Sequence, residues 1–89
     1  MEVKKEFSED EAKEVGETLG IKWDKFDLKQ FRMGINVELE HGTRDPGTNV
    51  TNDDLLMTGK IALAHLNEFP DYYDRLEKLE KEADVFWKK

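Results

Sequence analysis

The stretch Thr58 to Pro70, TGKIALAHLNEFP, constrains the fold more than any other part of this chain. It is apolar on nearly every side, and a helix with that pattern has to sit inside its fold rather than on the outside. It is therefore expected to be the central helix. Amphipathic segments flank it on either side, so the architecture expected is all-α: a compact four-helix domain with a long polar loop between its second and third helices. Residues 1 to 89 form one domain by length, with residues 1 to 6 expected to fray because they carry no apolar period.

The first helix starts at a capping box, in which Ser8 accepts one orphan N–H while Glu11 reaches back to another. It runs through EDEAKEVGETL with Ala12, Val15 and Leu19 on one face, and Gly20 stops it in the left-handed position. Ile21, Trp23 and Phe26 follow in a connection too short for a helix, so they are expected to plug the core from the loop. Asp27 with Gln30 repeats the capping logic before LKQFRMGINVELEH, which Gly42 should close. Leu28, Phe31 and Ile35 set the buried stripe of this second helix. Its next turn lands on Glu38 and Leu39, which places a carboxylate at the edge of the core.

Gly42 to Asp53, GTRDPGTNVTND, is about twice the usual length of a connection. Asp45 to Thr48 reads as a type II turn within it. Asn49-Val50-Thr51 is a chance sequon, since the charged start MEVKKEFSEDE encodes no secretion signal. Thr51 with Asp54 would cap the third helix, which runs to about Glu68. Pro70 would open the fourth helix, where Tyr72, Leu76, Leu79, Ala83 and Phe86 repeat at spacings of 4, 3, 4 and 3, a heptad-like seam. Gly34 and Gly59 each cost about 1 kcal/mol relative to alanine inside a helix, so the second and third helices are expected to cross closely there.

The block VELEHGTRDPGTNVTNDD followed by TGKIALAHLNEFPDYYDRLEKLE resembles the bacterial and phage family of unknown function DUF5661. The resemblance runs from about Phe7 to Ala83 and is densest from Glu38 to Leu76. That family commonly carries a proline after the paired aspartates where this chain has Leu55, which leaves the start of the third helix open. The resemblance implies no activity, cofactor or site residue.

Charge narrows the partners. Acidic residues number 21 against 14 basic, a formal charge of −7. The excess is spread along the chain, so phosphate backbones and anionic membranes would be repelled. Neither nucleic acid nor membrane is expected, and no run approaches the roughly 18 apolar residues of a membrane span. With no cysteine there is neither a disulfide framework nor a thiolate metal site, and a cytoplasmic setting is the default. Covalent catalysis also lacks a nucleophile, because the single serine, Ser8, is a cap. General acid/base work by Glu38 with His41 is the catalytic option that the residues leave.

The sharpest chemical pattern is Glu38-x-x-His41 in the second helix answered by His65-x-x-Glu68 in the third. Glu and His three apart on a helix share a face and could hold one divalent metal. The competing reading makes His41 a helix-end residue near the surface and His65 a buried histidine with one hydrogen bond. Hairpin geometry favours the latter: His65 lies 11 residues past Asp54, about 16 Å from the loop, and about 120° around the helix from Gly59. If Gly59 faces the second helix, His65 does not.

Arg44 with Asp45, Asp53 and Asp54 could hold calcium, yet the spacing is not that of an EF-hand. An Arg44 to aspartate pair and a loop organised by Asn49, Thr51 and Asn52 account for the same residues. These loop residues, or Trp87 with Phe86 at the far end, are the candidate contact surface for a protein partner. The function expected is a small acidic, non-catalytic binding or interaction module, a monomer or weak homo-oligomer without a cofactor. A metal-binding helical protein is the alternative.

Overall fold

The computed structural model describes residues 6–88, and among them there are four α-helices and no strand. Helix α1 spans Glu9–Thr18, α2 Leu28–Glu38, α3 Leu55–Glu68 and α4 Tyr72–Trp87, with a 3-10 turn, Leu39–His41, continuing α2. The fraying expected of residues 1 to 6 falls, for its first five, outside the described residues.

Local chemistry fixes the starts of three helices. Ser8 Oγ accepts from the Glu11 N–H at 3.1 Å and Glu11 Oε1 from the Ser8 N–H at 2.9 Å, which completes the capping box of α1. Asp27 caps α2 through the Gln30 N–H at 2.9 Å, although the Gln30 side chain turns away to Asp74 on α4. Asp54 caps α3 through the Met57 N–H at 2.7 Å. Helix α1 ends in a Schellman motif, the Ile21 N–H bonding Gly16 O and the Gly20 N–H bonding Glu17 O, with Gly20 at φ 77°.

The core gathers Ala12 and Val15 of α1, Phe31 and Ile35 of α2, Leu39 of the 3-10 turn, Ala62 and Leu66 of α3, and Tyr73 of α4. Phe7 joins them from ahead of α1, its N–H donating to Asn36 Oδ1 and its carbonyl accepting from Asn36 Nδ2 and Arg32 Nε. Trp23 and Phe26 pack edge to face and stacked on Phe31, as plugs from the connection. Trp23 does so with φ at 62°, a left-handed conformation that a bulky residue rarely adopts.

Several expectations are corrected. Helix α3 touches all three other helices, yet it is not enclosed: Thr58, Gly59, Ala62 and Leu66 are buried, while Leu56, Met57, Ala64 and Phe69 are exposed. A chain this small has too few elements to surround a helix. Gly34 and Gly59 do not face each other. Gly34 lies against the Tyr73 ring of α4, and Gly59 against Val15 and Leu19 of α1. Gly42 does not close α2 in the left-handed region, since its φ is −101°; a Cβ there would run into the Asp53 carboxylate. The Asp45 to Thr48 turn forms, with Thr48 N–H on Asp45 O at 3.1 Å. Gly47 lacks the positive φ of type II, and its N–H goes instead to the Asp45 carboxylate.

The largest departure is in α4. Pro70 stays outside the helix, and of the heptad-like seam only Tyr72 and Leu76 are even half-buried. Tyr73 is the residue driven inward, and consecutive helical residues differ by about 100°, so the seam is rotated off the core. From Glu77 to Lys88 every residue is exposed.

Candidate functional site

Among the described residues Glu38 is the one buried carboxylate, and three elements converge on it. The last turn of α2 carries it inward because it continues the stripe of Phe31 and Ile35. Its Oε2 accepts from the Tyr73 hydroxyl of α4 at 2.7 Å and from His65 Nδ1 of α3 at 2.9 Å. The tautomer is assigned from this pattern: Nδ1 carries the proton that reaches the carboxylate, and Nε2 is left as an acceptor. Tyr72 stacks on the His65 ring at 4.5 Å between centroids and 4° between planes. His41 approaches the other oxygen, Nε2 to Glu38 Oε1 at 3.9 Å, from an exposed position.

Burial and, after it, the bond to Glu38 push the Tyr73 phenol far above its ordinary value. Tyr73 therefore remains a hydrogen-bond donor at any pH the protein meets. The result is a clasp that ties α2, α3 and α4 through one carboxylate. As chemistry it offers a single open imidazole nitrogen, with no nucleophile beside it.

The four residues considered for a metal are thus divided. Glu38, His65 and, more distantly, His41 lie together; Glu68 is exposed and takes no part in the cluster. Among the described residues no group of three or more imidazoles and carboxylates is placed to hold a metal ion. The expectation that His65 turns away from α2 fails with its premise. Gly59 faces α1, and the rotation of about 120° from it brings His65 onto Glu38.

The loop residues are turned on one another. Asp53 takes the Thr43 N–H at 2.8 Å and the Thr43 hydroxyl, and these bonds, with Arg44 nearby, hold its carboxyl below the ordinary value. Asn49 Oδ1 accepts the Asn52 N–H at 2.8 Å, and buried Thr51 accepts the Asp53 N–H through its hydroxyl. Asp45 serves its own turn and Asp54 caps α3, so the three aspartates point at three different sets of backbone donors. Asn52 and Asp53 adopt positive φ to make this closure. Val50, at the tip, is 69% exposed.

At the opposite extreme, Phe86 and Trp87 pack edge to face at 5.0 Å on the free part of α4, Trp87 being 79% exposed. Sequence reasoning found the residues of this end, and read Tyr73 as an aromatic of surface or core, but not its bond to Glu38. The signal was present: a tyrosine beside a seam position, with an acid already placed at the core edge, has a partner waiting for its hydroxyl.

A family model described as protein of unknown function (DUF5661) matches residues 12–82, most of the chain, and the chain belongs to that family. Comparison with curated proteins and with solved structures gives no match. No helix among the described residues is long and apolar enough to cross a membrane.

Proposed function

We propose that this DUF5661 protein is a non-catalytic interaction module whose contact surface is the outward face of α4. One observation carries the reading: Leu79, Phe86 and Trp87 stand 59 to 79% exposed on the part of the helix past Leu76, where every described residue is exposed. Ordering the exposed half of a helix is unfavourable in isolation, and large apolar groups in water are what protein interfaces cover. Aromatic residues are also the side chains on which binding energy concentrates. The Glu38 clasp supports the same reading from the other side, because it spends its polar groups on holding α4 to the body. The loop from Thr43 to Asp53 is the weaker surface, since its polar side chains satisfy one another.

The test is capture by the immobilised full chain beside a Leu79→Lys control, which alters an exposed residue and leaves the core intact. The expected result is a protein, this one or another, retained by the wild type and lost with the variant. Equal retention by both, or none by either, overturns the reading.

A further inference from the structure

We propose that the partner is a second copy of this chain, with α4 pairing antiparallel to α4 about a two-fold axis, in the register that sets Leu76 against Leu79 of the second copy. The proposal rests on the interaction reading above and names its partner.

The first ground is that groove and plug lie on one face. A shallow apolar cavity of about 220 Å³ is lined by Phe69, Tyr72, Arg75, Leu76 and Leu79. Phe86 lies on the same seam ten residues past Leu76, about 15 Å along the helix. A two-fold interface requires that if one residue meets another, the second meets the first across the axis. With Leu76 opposite Leu79, Tyr72 falls opposite Ala83. Tyr72 thus meets a small residue, and Phe86, just past the paired residues, comes to the end of the helix where Phe69 lines the groove, in both directions.

Charge selects this register. It brings Arg75, whose Nε already bonds Asp71 at 2.8 Å and whose guanidinium lies over the Phe69 ring, beside Glu82 of the second copy with its remaining N–H groups, and the two-fold makes that contact twice. Moving the pairing by one heptad sets Glu82 against Glu82 and Glu80 against Glu80, where like charges repel. A parallel pairing would join Arg75 to Glu80, but it stacks groove on groove and leaves both cavities unfilled. In this register residues 72 to 83 of each helix overlap, about 18 Å, which buries less than the roughly 1,000 Å² of a specific interface, so association should be weak, on the order of 100 µM.

Sedimentation equilibrium on the full chain, from about 1 µM to about 1 mM, reads the mass directly. The expected mass rises from 10.4 kDa toward twice that value. Leu79→Lys should stay monomeric with unchanged helicity and melting. Arg75→Glu should weaken association roughly tenfold, and adding Glu82→Arg should restore it. A mass of 10.4 kDa at every concentration overturns the second copy. So does persistence of the dimer in Leu79→Lys, while restoration by Glu80→Arg in place of Glu82→Arg overturns the antiparallel register. A strict monomer whose α4 face still captures a different protein ends this proposal and leaves the interaction reading standing; a monomer that captures nothing ends both.

Discussion

Tyr73 carries more of the structure than its single ring suggests. Its ring fills the space that Gly34 leaves open, and its hydroxyl supplies one of the two donors on the buried Glu38 oxygen. Tyr73→Phe keeps the ring and removes the donor, so it should cost about 1 to 3 kcal/mol, the penalty for an under-satisfied buried acceptor. A urea midpoint equal to that of the wild type would show that Glu38 finds another partner. Gly34→Ala tests the ring. Alanine should gain about 1 kcal/mol in helix propensity, but its Cβ would collide with a ring whose hydroxyl is pinned, and overpacking costs about 1 to 3 kcal/mol. The expected balance is a loss, and a midpoint above the wild type would mean that Tyr73 shifts freely.

At the level of elements, α3 and α4 invert the roles that their sequences suggest. Leu66 is fully buried and Leu79 is 59% exposed. Leu66→Ala should therefore cost about 2 to 5 kcal/mol, whereas Leu79→Ala in the dilute monomer should stay within about 0.5 kcal/mol. Equal losses at the two sites would place α4 against the body. What was legible here was local. Ser8 with Glu11, Asp27, Asp54 and Gly20 mark their helix ends because capping is decided within four residues. The stripe leading to Glu38 was legible for the same reason, since periodicity fixes which residues share a face. Periodicity does not say what that face meets. The α4 seam is regular, yet one inward tyrosine, chosen by a carboxylate 35 residues earlier, turns it to solvent. Gly34 and Gly59 were likewise read as needing a close neighbour, which each has, but the neighbours are Tyr73 and Val15.

For the molecule as a whole, a formal charge of −7 sets two kinds of carboxylate against each other as pH changes. Glu80 is raised above its ordinary value, first by desolvation and then by Glu40, Asp84, Glu77 and Glu38. An acid raised in the folded state destabilises that state when ionised, and the penalty fades as pH falls through the raised value toward 4.5. Asp53 is lowered, first by the Thr43 hydroxyl, so its contribution is fully present above 3.8 and is lost as pH falls through its folded value. Two substitutions separate these opposite signs. Glu80→Gln should be slightly more stable than the wild type at pH 7, by no more than about 0.5 kcal/mol, with the difference closing by about pH 4. Asp53→Asn should be less stable at pH 7, because the Thr43 latch loses its charged acceptor, and its deficit should persist to pH 4 and shrink only below it. Thermal melts of both variants at dilute concentration, from pH 7 to 3, read each difference against the wild type. If the Asp53→Asn deficit closed between pH 7 and 5 instead, the latch would not be what holds the loop.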